Sequence, residues 1–263
     1  MKFNEKTRTE FINNIYSHYH KVKFIHPDPL EFLFNYKSKK DREIVGIIAS
    51  SLAYGRVERI LISVDKILSV MGDSPYEFVK NTDLKSLKKI YSGFKHRFTD
   101  DIEIAELIYS MKEIIAEDGS LENNFYKYFK NDDETILDAM IPFTDNLKKY
   151  SSKSRTSLIP SPAKGSSCKR LCLFFRWMVR KDDIDPGGWS KIPTSKLIIP
   201  LDTHMHKMAK MLNITDKNQA NMKTAIEITK NLSKYCKDDP VKYDFSLTRP
   251  GIHDKLLPEE VRF

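Results

Sequence analysis

Apolar residues return at intervals of three and four along nearly the whole chain, with polar positions between them. This is the repeat of helices that bury one face. Phe11, Ile12, Ile15 and Tyr19 mark one side of a first helix predicted over residues 4–22. His26-Pro-Asp-Pro29 reads as a turn, because a residue before proline is pushed out of the helical region, and a short helix follows over 30–34. Asp41 is placed to cap a helix whose apolar face carries Ile44, Ile47, Ile48 and Leu52. Tyr54-Gly55-Arg56 interrupts the repeat, which resumes at Val57, Ile60, Leu61, Val64, Ile67, Leu68 and Met71, so 41–71 reads as a helix–turn–helix pair with an exposed tip.

Short helices are predicted over 75–80 and 83–91, and a long one runs from a cap at Thr99 or Asp100 to Gly119. Further helical repeats cover 120–129 and 134–147, while 150–167, rich in Ser, Pro and Lys, reads as an irregular connection. Residues 168–180 are apolar nearly all round, as expected of a buried central helix. Asp185-Pro-Gly-Gly188 is a turn, Asp202 or Thr203 starts another helix, one more runs from Thr215 to Leu232, and a last short one is predicted over 241–247. No internal repeat and no alternating strand pattern is visible. The expected class is all-α.

Composition narrows the setting. With 263 residues the chain can bury one large core or two small ones without disulfides. Nine glycines argue against a strand-and-turn architecture or a Gly-rich phosphate loop. Three cysteines (Cys168, Cys172, Cys236) without a signal peptide predict a reducing, cytoplasmic location. Cys168 and Cys172, four apart on one helix face, read as core residues, and three cysteines are too few for a four-cysteine iron–sulfur site. No apolar run is long enough for a membrane span. The net charge is +8, and between 148 and 181 lie ten basic residues (Lys148, Lys149, Lys153, Arg155, Lys164, Lys169, Arg170, Arg176, Arg180, Lys181) with no acid. Such a run is the footprint expected for a polyanion partner.

Candidate chemistry concentrates between Gly165 and His206. Lys169 opens the predicted buried helix, where the positive helix end and partial desolvation favour the neutral amine that a nucleophile needs. Asp202 opens a later helix, and a capping Asp that fixes one oxygen leaves the other to face a cleft. His204 and His206 form a His-x-His pair, but at helical spacing the two diverge by about 200° and do not share a metal. Arg176 and Arg180, four apart, are placed to pair with acids in the core, and Trp177 and Trp189 read as core anchors, with stacking on a base the alternative for Trp189.

Gly165-Ser-Ser-Cys168-Lys169-Arg-Leu-Cys-Leu-Phe-Phe-Arg-Trp177, followed by Ile199-Pro-Leu-Asp202-Thr-His204, resembles the helix-hairpin-helix DNA glycosylase superfamily. The long connection between Lys and Asp looks most like the archaeal 8-oxoguanine glycosylase branch. The chain also resembles an uncharacterised bacterial family in which the segments around Tyr54-Gly55-Arg56, Arg176-Trp-Met-Val-Arg180, Asp185-Pro-Gly187, Pro-Leu-Asp202-Thr-His and Asp239-Pro-Val-Lys-Tyr243-Asp-Phe recur. The superfamily resemblance is specific over about 160–212; the bacterial family's extends over roughly 25–250.

The resemblance implies a two-lobed all-α fold of helix-hairpin-helix glycosylase type, one unit over 1–263. Its lobes are 41–150 and 1–40 with 151–263, and double-stranded DNA lies between them. It implies Lys169 as nucleophile, with Lys164 an alternative by proximity that fits the register less well, and Asp202 as the carboxylate partner in a glycosylase/AP lyase without metal or cofactor, acting as a monomer. Tyr54, Gly55, Arg56, Lys164, Gly165, Ser166 and Arg170 become the expected DNA contacts. The hairpin departs from the superfamily's Leu-Pro-Gly-Val-Gly: here it reads Ile159-Pro-Ser-Pro-Ala-Lys164-Gly165-Ser166, with one glycine. That departure motivates the alternative, a non-catalytic nucleic-acid-binding protein of the same fold. The distance from Lys169 to Asp202, and whether both line one basic cleft, discriminates between the two.

Overall fold

A computed structural model describes residues 3–153 and 158–253. The class is all-α. The helices are α1 (Glu5–Tyr19), α2 (Lys39–Ser51), α3 (Val57–Leu68), α4 (Pro75–Asn81), α5 (Leu84–Ile90), α6 (Asp101–Asp118), α7 (Leu121–Tyr126), α8 (Leu137–Leu147), α9 (Lys169–Val179), α10 (Thr203–Met211), α11 (Met222–Leu232), α12 (Asp244–Thr248) and α13 (Pro250–His253). Most begin on a side chain that accepts orphan N–H groups of the first turn. Asn4 and Asp100 do so with a reciprocal capping box at α1 and α6, and Ser74, Ser120 and Asn221 do so at α4, α7 and α11.

Helix α6 gathers α4, α5, α7 and α8 around it, and α12 gathers α1, α10 and α13. Between the two groups α2 lies along α9. Gly46 permits this approach: a Cβ there would sit 3.1 Å from the Phe174 ring. Beside the contact Phe125, Phe143, Phe174, Phe175 and Trp189 form an edge-to-face and tilted aromatic cluster. Each such side chain contributes roughly 2–3 kcal/mol by leaving water. The buried apolar residues join into one continuous cluster from Phe3 to Leu247.

Several expectations change. Among the described residues there is one small antiparallel hairpin, β1 (Lys95–His96) and β2 (Thr99–Asp100), too short to leave a periodic signature. Asp41 does not cap its own helix; its carboxylate accepts Ser74 Oγ and the Tyr76 N–H, both at 2.9 Å, and so fixes the start of α4. Residues 29–35 form a 3-10 turn rather than an α-helix, and the last predicted helix starts three residues later, at Asp244. Trp189 is buried and donates from Nε1 to Glu43 Oε1 at 2.8 Å, in keeping with a core anchor. Arg155 lies outside the described residues.

The ten-residue basic run is acid-free in sequence but not in space. Lys148 meets Asp145 at 3.2 Å, and Lys153 meets Asp100 and Glu103 at 2.6 and 3.0 Å. Arg176 and Arg180 are buried among acids, as their spacing suggested: Arg176 pairs with Asp185 and Asp244, and Arg180 with Asp182, Asp185 and Asp239. Lys149, Lys164 and Lys181 stay exposed.

Candidate active site

The start of α9 and the start of α10 are brought together by the chain that precedes each. Residues 197–201 are buried, and the Ile199 N–H donates to Thr229 Oγ1 at 3.0 Å, which fixes the approach to Asp202. Ser167, two residues before Lys169, donates from Oγ to the Leu201 carbonyl at 3.1 Å. That bond ties the two helix entries to each other.

Asp202 divides its oxygens. Oδ1 caps α10, accepting the His204 and Met205 N–H groups at 2.9 Å each. Oδ2 faces Lys169 Nζ at 3.5 Å. The lysine side chain is 32% exposed and the aspartate 23%, so the pair sits at a mouth and not in the core. Lys169 is the first residue of α9, and Cys168 before it takes a left-handed φ of 48° without a side-chain cap. That conformation is costly for a residue with a Cβ.

The pair lines a cleft of about 60 Å³ with Asp28, Ala53, Arg176, Asp244 and Arg249 among its walls. A cleft of that size has room for a few waters. Its ionisable lining is three cations, Lys169, Arg176 and Arg249, against three carboxylates, Asp28, Asp202 and Asp244. The cleft is therefore charge-balanced and not basic. Asp28 caps the 3-10 turn over 29–35 through the Leu30 N–H at 3.0 Å and receives Arg249 at 2.7 Å. Burial works to raise its carboxyl, but Arg249 prevails and holds it below the ordinary range. Asp244 behaves oppositely. Burial pushes its carboxyl up to about 6 although Arg176 opposes the shift, and the nearby Asp202 charge adds to it.

A family model described as protein of unknown function (DUF2400) matches residues 28–253. The chain belongs to that family. No curated protein and no solved structure matches the chain. The DUF2400 match takes in all the cleft residues, Asp28 to Ile252, and leaves α1 outside.

The other residues singled out from sequence fall into two groups. Tyr54 and Arg170 are packed together: the guanidinium lies 4.7 Å from the ring centroid and donates to the Ser51 carbonyl at 2.7 Å. The Tyr54 hydroxyl bonds the His96 carbonyl at 2.9 Å and Thr99 Oγ1 at 2.8 Å, so the ring braces the turn after α2 instead of standing free at its tip. Burial lowers the Arg170 pKa from its usual value. Gly55, at φ 101°, and Arg56 are exposed. Lys164, Gly165 and Ser166 form an exposed turn ahead of α9, with Gly165 at φ 75° and its carbonyl accepting the Met222 N–H at 3.2 Å. Lys164, the other lysine near the hairpin, does not line the cleft.

His204 and His206 do not converge: a Cβ on Gly251 would touch the His204 ring, while His206 Nε2 bonds the Lys217 carbonyl at 2.8 Å. Among the described residues no group of three or more His, Cys, Asp or Glu is arranged to hold a metal, and no helix is long and apolar enough to cross a membrane. Sequence reasoning missed Asp28, Asp244 and Arg249. The usable signal was Asp244 itself, a lone acid among Val241, Tyr243, Phe245 and Leu247.

Proposed function

We propose that the protein is a DNA glycosylase/AP lyase acting on damaged bases, with oxidised purines the first substrate class to test. The observation that carries the reading is the 3.5 Å approach of Lys169 Nζ to Asp202 Oδ2 at two facing helix starts in one cleft. An amine nucleophile beside a carboxylate fixed by a cap is what base excision through a Schiff base requires. The lysine nitrogen bonds C1′ as the bond from C1′ to the base breaks, and the base leaves with the electron pair. Asp202 stabilises the positive charge that develops on the sugar and helps take the proton from the lysine. Ring opening gives the Schiff base, and loss of a C2′ proton then expels the 3′ phosphate.

In this reading the fold is of helix-hairpin-helix glycosylase type. The group around α6 and the group around α12 serve as the two lobes, 41–150 and 1–40 with 151–263. The protein acts as a cytoplasmic monomer on double-stranded DNA, with Arg56, Lys164, Gly165 and Ser166 on the exposed approach, and needs no cofactor. Reaching the target atom requires the base to leave the stack, so a cleft of about 60 Å³ must widen as the base enters. Borohydride treatment over a panel of lesion-bearing duplexes tests the assignment. A covalent complex with wild type that Lys169→Gln abolishes is the expected result; no complex with any lesion, or one that survives Lys169→Gln, sinks it.

The narrow, charge-balanced cleft favours a second reading, a nucleic-acid-binding protein of the same fold without the chemistry. It predicts salt-sensitive binding with no base release, unchanged by Asp202→Asn.

A further inference from the structure

The catalytic reading gives Asp202 two tasks that conflict. Its Oδ1 is occupied by two backbone N–H groups, which leaves Oδ2 to serve the lysine. To free the amine, some group must take a proton from the Lys169 ammonium. To stabilise a positive sugar, Asp202 must stay ionised. A second acceptor for the lysine proton would relieve Asp202 of one task and let it stay ionised under the sugar.

A second carboxylate lines the same cleft. Asp244, on the first turn of α12, is 2% exposed. Arg176 holds its Oδ2, while Oδ1 is shielded from solvent and has no hydrogen-bond partner among the described residues. A buried carboxylate oxygen without a donor is expensive to keep ionised and gains by accepting a proton. Resting on the glycosylase/lyase reading, we propose that Asp244 is the proton acceptor of the cleft: it takes the proton from Lys169, leaves Asp202 ionised under the sugar, and returns the proton to the departing base. The step balances as Lys169 ammonium plus Asp244 carboxylate giving amine plus carboxylic acid. The amine then bonds C1′, the base leaves with the bonding pair, and the acid's proton neutralises it.

The surroundings of Asp244 fit a group poised to exchange a proton near neutrality. Arg176 on α9 favours the charged form, whereas Asp202 and Asp185 oppose it, and Arg249 and Asp28 line the same cleft. From α1, Tyr16 and His20 meet Tyr243 and Phe245, the residues flanking Asp244. The carboxyl sits at about 6, close to where a general base is most effective at physiological pH.

Two measurements test the assignment. In full-length protein with 13C-labelled aspartate carboxyls, one signal should titrate near pH 6 and vanish in Asp244→Asn; no such signal overturns the proposal whatever the activity. Single-turnover borohydride trapping should show, for wild type, an acid limb near pH 6. In Asp244→Asn the trapping should be slower by about 100-fold and lack that limb, while Asp244→Glu should restore part of the rate. Circular dichroism and binding to undamaged duplex should match wild type in any variant compared. Trapping by a folded Asp244→Asn at the wild-type rate and pH profile overturns the role of Asp244 and leaves Lys169 and Asp202 standing. No trapping by wild type at any pH overturns the lyase reading and this step with it.

Discussion

The two oxygens of Asp202 can be separated by two substitutions. Asp202→Asn keeps a side-chain carbonyl in the place of Oδ1, able to accept the His204 and Met205 N–H groups, and Asn ranks with Asp as an N-cap. It removes only the charge. The ion pair with Lys169 is partly exposed at both ends and is worth well under about 1 kcal/mol, and a negative charge at a helix start adds roughly 0.3–1 kcal/mol. Asp202→Ala loses these and the cap as well, a further cost of about 1 kcal/mol. Ala should therefore melt roughly 2–4 °C below Asn, at the sensitivity expected for a chain of this length. In borohydride trapping the order disappears: both variants lack the carboxylate and both should lose on the order of 100-fold or more. Calorimetry and single-turnover trapping on the same preparations decide. Equal melting of the two variants would show that the cap is not what Oδ1 provides. Wild-type trapping by Asp202→Asn would falsify the chemical role and leave Asp202 an ordinary helix cap.

Other outcomes follow from the packing and the charges. Gly46→Ala, which helix propensity alone would make stabilising, should cost about 1–3 kcal/mol in denaturant unfolding because its Cβ meets Phe174. Burial pushes the Cys168 thiol up to about 11 and Cys172 well above its ordinary value, so an aromatic disulfide reagent at pH 7.5 should label Cys236 quickly and the other two only on unfolding. Asp244, raised from near 4 to about 6, binds its proton more tightly folded than unfolded. Its contribution therefore falls as pH rises through that window, by roughly 3 kcal/mol in total, and Asp244→Asn should remove this slope from melting curves between pH 4 and 7. Asp28 works the other way: its depressed carboxyl contributes stability above pH 4 that is lost as pH falls below it, a loss Asp28→Asn should abolish.

The helical class was legible because it rests on local period and caps. Ile44, Ile47, Ile48 and Leu52 had to share a face, and Asp100 and Gly119 had to bound a helix. Lys169 and Asp202 stood out through their sequence context, and their 3.5 Å approach depends on a buried stretch, 197–201, and one Ser167 bond that no periodicity reveals. What could not be read was where distant acids go. Asp239 and Asp244 lie far along the chain from Arg180 and Arg176, so a run that looks uniformly positive from 148 to 181 has half its cations paired with acids once folded. Likewise Tyr54 reads as an exposed tip until the hairpin at 95–100 supplies partners for its hydroxyl.

The even count of positive and negative groups in the cleft has a kinetic corollary. A pocket that carries its own counter-charges presents little field to dissolved ions. Long-range attraction for a polyanion must then come from the outer surface, where salt competes directly. If the glycosylase/lyase proposal holds, ionic strength should thus act on encounter alone: it should change how much DNA is captured, while the covalent step measured on saturated complexes should run at the same speed in dilute and concentrated buffer.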